Sequence, residues 1–135
     1  METVIRAQSL RKTYRATVAV EDVSFEVRRG EIFGVVGPNG AGKTTTVECL
    51  TGMRRPDSGE VEVLGLDPIK GGDGLRRRIG VQLQRAALPD RLKVREALAL
   101  YSSFYDSPAD WRELMDHWGL TEKQNTVFSD LSGGQ

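Results

Sequence analysis

Apolar residues at Val23, Phe25 and Val27 alternate with polar ones, and this period of two predicts a strand with one buried face. A turn at Gly30 follows, and after it comes a continuous apolar run at positions 32–36. A short run of this kind is typical of a strand buried on both faces of a parallel sheet. The first part of the chain is therefore predicted to build a β-sheet.

The next segments alternate between helical and extended patterns. Residues 44–50 predict a helix that ends near Gly52, and the turn residues at 56–59 precede a second alternating strand at 61–63. The glycine-rich stretch 70–74 predicts a flexible loop. Strands that alternate with helices indicate an α/β fold.

From position 94 the period changes to that of an amphipathic helix. Ser107 is the predicted N-cap of a second helix, with Pro108 in its first turn and Gly119 at its C-terminal end. These two helices predict a helical section after the sheet-forming part. The apolar positions of the first helix are Val94, Ala97, Leu98, Tyr101 and Phe104.

Composition narrows the class of protein. The 135 residues are 39% hydrophobic and 28% charged, which fits a soluble globular chain of one domain. Lys plus Arg and Asp plus Glu both number 19, and this balance argues against a nucleic-acid partner. The single Cys excludes an internal disulfide, and no apolar run is long enough to span a membrane. We therefore expect a cytoplasmic protein.

A glycine-rich loop between the predicted buried strand and the predicted helix carries the clearest chemistry. It fits the pattern G-x-x-x-x-G-K-[ST] in the strand–loop–helix setting that this pattern requires. Glycines let the backbone approach a polyphosphate closely, and a helix N-terminus directs partial positive charge at the anion. The pattern predicts nucleotide binding but does not say which nucleotide. The residues are Gly37, Pro38, Asn39, Gly40, Ala41, Gly42, Lys43 and Thr44.

Three side chains at the end of this loop have predicted roles. Lys43 is expected to bridge the β- and γ-phosphates, and the Thr44 hydroxyl is expected to coordinate Mg²⁺. Thr45 is placed to contact the α-phosphate.

The sequence ends with Leu131, Ser132, Gly133, Gly134 and Gln135. By itself the sequence Ser-Gly-Gly is common in turns. Its occurrence together with the phosphate loop is highly specific for one protein family. The pair resembles the ATP-binding subunits of ABC (ATP-binding cassette) transporters, in which LSGGQ is the signature motif. The amino-acid sequence of the phosphate loop and the sequence Arg55-Pro56-Asp57-Ser58-Gly59 are most similar to those of the drug and lipid exporters that work with an ABC-2-type membrane subunit.

The resemblance implies further site residues. Tyr14 matches the aromatic residue that stacks on adenine, and Gln84 matches the glutamine that reaches Mg²⁺ and the attacking water, with Gln82 as the rival position. Gln84 and Lys43 are thus the implied catalytic residues, and Thr44 and Gln84 the implied metal ligands. The signature residues, from Ser132 to Gln135, are implied to bind the ATP held by a second subunit.

The resemblance also implies architecture and partners. The expected fold is an α/β P-loop NTPase with an N-terminal antiparallel β section, a partial parallel core sheet and a helical subdomain. Residues 1–84 would form the ATP-binding core and residues 85–135 the helical subdomain. Two such subunits would dimerise head to tail, bind ATP and Mg²⁺, and associate with a separate transmembrane permease at the cytoplasmic face of the cell membrane.

Two departures from the family pattern are visible. Lys93 stands where the family commonly has a helix-capping Thr, and its side chain cannot accept the capping hydrogen bond, so we expect a weaker helix start. The sequence also stops before the family's Walker B strand, whose Asp-Glu pair holds Mg²⁺ and polarises the attacking water. The chain is therefore expected to be an N-terminal fragment of a longer subunit and inactive alone.

Two other functions remain open at this point. A non-catalytic ATP-binding module that dimerises without turnover would need only the two phosphate-binding motifs. A soluble ABC-type ATPase acting in DNA repair or translation usually shows long insertions or tandem cassettes, and neither is present in this sequence.

Overall fold

The computed structural model of the protein describes residues 2–82 and 88–132. The chain divides into two compact units, one reaching to Ile79 and the other beginning at Gly80. The assignment of the two parts as ATP-binding core and helical subdomain stays a prediction, and each unit is described separately below.

The first unit contains an antiparallel sheet of three strands. Strand β1 spans Thr3–Tyr14, β2 spans Thr17–Arg28 and β3 spans Ser58–Val63, in the order β2-β1-β3. Both β2 and β3 pair with β1 in antiparallel fashion. The predicted strands around Val23–Val27 and 61–63 are therefore confirmed.

Strand β1 has no clear signal in the sequence because its pairing is irregular. Its register with β2 shifts between Thr3 and Ile5 and at further points between Ala7 and Thr13. Ser9 has a φ of 46°, and its N–H donates to the Ser24 hydroxyl at 2.8 Å instead of continuing the ladder. Each bulge breaks the period of two on which the recognition of a strand from sequence depends.

A small core lies between the sheet and helix α1, which spans Lys43–Leu50. Leu10 and Val20 from the sheet pack with Cys49 of the helix, and all three are buried. Burial raises the pKa of the Cys49 thiol. Helix α1 begins and ends close to its predicted limits, since Thr51 is its C-cap residue.

The expected parallel core sheet is absent from the described residues, and this prediction was wrong. Ile32 is 100% exposed and Val36 93% exposed, and residues 32–36 form no strand. Residues 79–82, which precede Gln84, form no strand either. An apolar run becomes a strand only when a neighbouring strand accepts and donates its backbone hydrogen bonds, and the three described strands pair with one another instead.

The predicted loop at 70–74 is partly helical. A short helix, α2, spans Gly72–Arg76 and places Leu75 in a buried position. The carboxylate of Asp67 accepts hydrogen bonds from the backbone N–H groups of Ile69 and Lys70 at 2.8 and 3.2 Å, which organises the turn before the helix. A buried Leu and this turn outweigh the low helix propensity of the glycines.

The second unit contains helix α3, which spans Val94–Ser102. The Lys93 N–H donates to the Glu96 carboxylate at 3.1 Å. The N–H groups of Val94 and Arg95 donate to the backbone carbonyls of Thr126 and Gln124, both at 3.1 Å. The weaker start that we expected from Lys93 is thus compensated by backbone carbonyls from the segment that follows the helices.

Helix α4 spans Trp111–His117 and begins later than predicted. Asp110, not Ser107, is the N-cap residue, and its carboxylate accepts from the Arg112 N–H at 2.8 Å. The Asp110 carboxylate, three residues after Ser107, caps the helix in place of the predicted Ser107.

The C-terminal end of α4 agrees with the sequence prediction. The Gly119 N–H donates to the Asp116 carbonyl and the Leu120 N–H to the Met115 carbonyl, both at 2.9 Å, which is the Schellman arrangement. Two 3₁₀ turns follow, at Thr121–Lys123 and Phe128–Asp130. Within residues 2–82 and 88–132, no helix has the length and apolar character needed to cross a membrane.

Candidate functional site: a phosphate loop and an aromatic platform

The glycine-rich loop lies directly before α1, and its backbone geometry requires glycine. Gly40 and Gly42 have φ values of 84° and 82°, in the left-handed region. A Cβ atom on Gly42 would overlap the carbonyl oxygen of Ala19 in β2, whereas one on Gly40 would meet no atom within 4 Å. Gly42 therefore fixes the loop against the sheet, while Gly40 only shapes its path.

The N-terminal end of α1 is suited to an anion. The helix begins at Lys43, and its first turn carries no acidic residue. The earliest N–H groups of a helix have no partner inside it, and the helix dipole adds positive character at this end. The side chain of Thr44 is exposed there and that of Thr45 is half-buried.

Lys43 folds back on its own loop. Its ammonium group donates to the carbonyl oxygens of Gly37 at 2.6 Å and Pro38 at 2.7 Å. These bonds account for two of its three N–H groups. The amine is thereby held beside the loop backbone, where it can also donate to a bound phosphate.

Thr46 is a structural residue of this site that the sequence analysis did not single out. It is buried, and both its N–H and its hydroxyl donate to the Gly42 carbonyl, at 2.8 and 2.9 Å. These two hydrogen bonds to the carbonyl of the last loop glycine connect the loop to the helix. The signal was available in principle, since Thr46 lies one helical turn after Gly42.

A single Mg²⁺ ion fits the donors that the loop provides. Mg²⁺ keeps several waters and needs only one or two protein oxygens in addition to substrate phosphates. The exposed Thr44 hydroxyl is such an oxygen. Among the described residues there is no group of three His, Cys, Asp or Glu side chains that could hold a metal by themselves.

Tyr14 ends strand β1 and keeps 36% of its surface exposed. Two cations lie near its ring: the Arg54 guanidinium carbon is 5.1 Å from the ring centroid and the Lys12 ammonium is 5.8 Å from it. The Arg54 Nε donates to the Glu48 carboxylate of α1 at 2.6 Å. Arg54 and Glu48 are further residues that the sequence pattern did not identify.

Asp57 holds the residues that precede Tyr14. Its carboxylate accepts from the Lys12 ammonium at 2.6 Å and from the N–H and hydroxyl of Thr13 at 2.7 and 2.6 Å. These hydrogen bonds hold the pKa of the Asp57 carboxyl well below its usual range. The hydrogen bond from Lys12 has the largest effect on this pKa.

The remaining predicted site residues are only partly described. Gln84, Gly133, Gly134 and Gln135 lie outside the described residues. Ser132 is exposed and follows the second 3₁₀ turn in the second unit, and Gln82, the rival of Gln84, is exposed.

Comparisons with known proteins place the chain in a family. The glycine loop opening a helix beside a β-sheet defines the class of P-loop NTPases. A family model described as "ABC transporter" matches residues 20–135. The chain therefore belongs to the ABC transporter family.

Individual relatives carry names of ATP-binding proteins. The methionine import ATP-binding protein MetN of Mesorhizobium japonicum is 38% identical over 99% of this chain and 39% of its own length. The doxorubicin resistance ATP-binding protein DrrA of Mycobacterium tuberculosis (strain H37Rv) is also 38% identical, over 98% of this chain and 42% of its own. The chain thus spans about two fifths of the length of these relatives.

A solved structure titled "Structure of ATP binding subunit of ABC transporter" has the same fold. It superimposes with a TM-score of 0.86 at 28% identity, over 96% of this chain and 56% of the other. The methionine import protein and the doxorubicin resistance protein have the same sequence identity to this chain, so identity favours neither of the two names.

Proposed function

We propose that the chain binds ATP with Mg²⁺ through residues 37–45 and acts, within its whole protein, as the ATP-binding subunit of an ABC transporter. One observation carries this proposal: the left-handed loop glycines lead into α1, and Lys43 is held beside the loop at that point. The family membership supports ATP as the nucleotide.

Each loop residue has a role in this proposal. The amides of Asn39, Gly40 and Gly42 face the phosphates, whereas the Ala41 N–H donates to the Pro38 carbonyl at 3.2 Å and closes the loop. Lys43 neutralises charge on the β- and γ-phosphates. Thr44 holds the metal ion and Thr45 contacts the α-phosphate. Mg²⁺, when bound, stabilises the negative charge that develops on the phosphates during attack by water.

The face of Tyr14 stacks on the adenine base. The ring is partly exposed at the end of β1, and a ring face suits a purine. Aromatic–base stacking contributes roughly 1–3 kcal/mol in nucleic-acid complexes.

Hydrolysis belongs to the complete subunit in this proposal. Gln84 would orient the attacking water, and the signature residues from Ser132 to Gln135 would bind the γ-phosphate in a second subunit. Two subunits then form a head-to-tail dimer with two ATP molecules between them, because each site is completed by the other copy. ATP binding and hydrolysis drive transport through a separate permease at the cytoplasmic face of the membrane.

Equilibrium titration with Mg-ATP by calorimetry tests the proposal. Lys43→Ala is expected to weaken binding at least about tenfold, because a charge-assisted contact contributes about 1.5–3 kcal/mol. Lys70→Ala is the matched control, since Lys70 is 86% exposed and pairs only with nearby Asp67 among the described ion pairs. Equal affinity of wild type and Lys43→Ala would contradict the proposed role of the loop. Binding without turnover by the complete subunit would favour the non-catalytic alternative.

A further inference from the structure

The segment that joins α1 to β3, residues 51–57, contacts the Tyr14 region at two points. The first contact is Arg54, whose guanidinium lies over the Tyr14 ring at 5.1 Å. The Arg54 side chain is itself fixed, because its Nε donates to Glu48 at 2.6 Å, and its N–H donates to the Glu48 carbonyl at 3.1 Å. Glu48 lies on α1, the helix that begins at the phosphate loop.

The second contact is Asp57, which holds the backbone just before Tyr14. Its carboxylate binds Lys12 and Thr13, and its own N–H donates to the Arg11 carbonyl at 2.9 Å. The strand end is thus fixed by hydrogen bonds, while the ring beyond it has Arg54 against it. Asp57 therefore holds the backbone just before Tyr14, and Arg54 packs against the Tyr14 ring.

A partly exposed tyrosine at a strand end would otherwise lose side-chain freedom each time a ligand stacks on it. A ring that is already held in place loses less side-chain entropy when a ligand binds, and this preorganisation raises the affinity. A guanidinium over an aromatic face is a favourable contact even at an exposed site. Tyr14 still exposes 36% of its surface, which leaves area for a base.

We propose that Arg54 is a positioning residue for base recognition: Glu48 holds its guanidinium against Tyr14, and this contact orients the ring for stacking with the adenine base. The inference rests on the proposed function, namely ATP binding with Tyr14 as the platform. It also connects the two ends of the nucleotide, since Glu48 belongs to the helix whose first turn binds the phosphates.

The test compares two ligands that share the phosphate chain, Mg-ATP and Mg-tripolyphosphate, which has no base. Arg54→Ala is expected to weaken ATP binding about three- to fivefold and to leave tripolyphosphate binding unchanged, as expected for loss of an exposed cation–π contact. The matched control is Arg55→Ala, which removes the same charge from the exposed neighbouring residue and is expected to change neither affinity. Glu48→Gln, which keeps α1 intact, is expected to act in the same direction as Arg54→Ala.

A double variant separates positioning from a general structural effect. In a Tyr14→Leu background, Arg54→Ala is expected to have no further effect on ATP affinity, because the ring through which it acts is gone. Equal weakening of both ligands, unchanged ATP affinity, or tighter ATP binding by Arg54→Ala would each overturn the inference. If Arg54→Ala fails to fold, Glu48→Gln decides by the same comparison.

The measurements on wild-type protein also distinguish a failure of this inference from a failure of the proposed ATP-binding function. Wild-type protein that binds neither ligand would overturn the proposed function, and the inference with it. Wild-type protein that binds tripolyphosphate as tightly as ATP would leave the phosphate loop in place but overturn Tyr14 as a base platform, and Arg54 with it. Tighter binding of ATP than of tripolyphosphate, reduced only by Arg54→Ala and Glu48→Gln, would support the inference.

Discussion

Two glycines of the loop before α1 have different steric surroundings. Gly42 and Gly40 have nearly the same left-handed backbone angle, but only at Gly42 would a side chain meet another part of the chain. The two positions therefore separate the cost of the backbone conformation from the cost of steric overlap.

Gly42→Ala is expected to lower the free energy of unfolding by about 3 kcal/mol, from the left-handed angle plus the overlap with Ala19. Gly40→Ala is the control and is expected to cost about 1 kcal/mol, because only the angle is unfavourable. Urea unfolding curves of the three proteins measure the difference. Equal losses for the two variants would contradict the close approach of Gly42 to β2.

The Asp57 carboxylate gives the first unit a predictable response to acid. Its pKa in the folded protein is depressed by its hydrogen bonds with Lys12 and Thr13, so its stabilisation is fully present above the unfolded pKa of about 3.9. This stabilisation is lost as the pH falls below that value, because the unfolded chain binds the proton first.

We expect wild type to be more stable than Asp57→Asn at pH 7 and the difference to shrink at pH 3. Urea midpoints followed by far-ultraviolet circular dichroism at both pH values measure it. The substitution keeps one acceptor oxygen but replaces the other, so it removes the charge together with the hydrogen bonds to one side of the carboxylate. Only the part of the difference that changes with pH reports the charge. A difference that is the same at both pH values would be inconsistent with the ionised carboxylate as the stabilising form.

At the scale of elements, the two ends of helix α4 are set by local hydrogen bonds. The start of α4 depends on the carboxylate of Asp110, and both tryptophans of the chain, Trp111 and Trp118, lie in or next to this helix. Tryptophan fluorescence therefore reports on α4 alone.

Asp110→Ala is expected to lower the stability of the second unit by about 1 kcal/mol, the usual cost of a lost N-cap. Asp110→Asn retains a capping oxygen and is expected to be close to wild type. Urea unfolding followed by tryptophan fluorescence compares the three proteins. If alanine and asparagine behave alike, the Asp110–Arg112 hydrogen bond does not set the start of the helix.

Periodicity was sufficient where an element is regular. Strand β2 and helix α3 were predictable because their apolar residues follow one period. Helix α1 was predictable from its place after the glycine loop, and the Gly119 end of α4 was predictable from its residue type. Strand β1 was missed because bulges interrupt its alternation. The segment 32–36 was predicted wrongly because apolar content indicates burial but does not supply a neighbouring strand.

The candidate site shows the same division. The glycine loop and the helix after it were predictable because left-handed backbone angles require glycine at fixed positions. Phosphate binding by this loop stays a prediction. Arg54, Glu48 and Asp57 were not, because they reach Tyr14 through the tertiary arrangement of α1, β1 and the segment between α1 and β3. Their roles depend on distances that no spacing in the sequence encodes.

At the scale of the whole molecule, the segment 32–36 exposes apolar side chains. Ile32 and Val36 are almost fully exposed, and apolar backbone without a paired neighbour is prone to associate with other chains. The 135-residue chain is therefore expected to self-associate as its concentration rises.

Ile32→Lys is expected to reduce this association, measured by sedimentation velocity over a range of protein concentrations. The control is Leu100→Lys, which adds the same charge at an apolar residue of α3 that is 46% exposed. An equal reduction by both variants would show that net charge, not the 32–36 segment, governs association.

The central claim is that the loop before α1 binds the phosphates of a nucleotide. Titration of ¹⁵N-labelled protein with Mg-ATP, followed by amide chemical shifts, tests it most directly. We predict saturable shifts that are largest for the amides of residues 39–45, together with a smaller shift near Tyr14, and their loss in Lys43→Ala. Saturable shifts located elsewhere, or an unchanged spectrum at saturating Mg-ATP, would contradict the account.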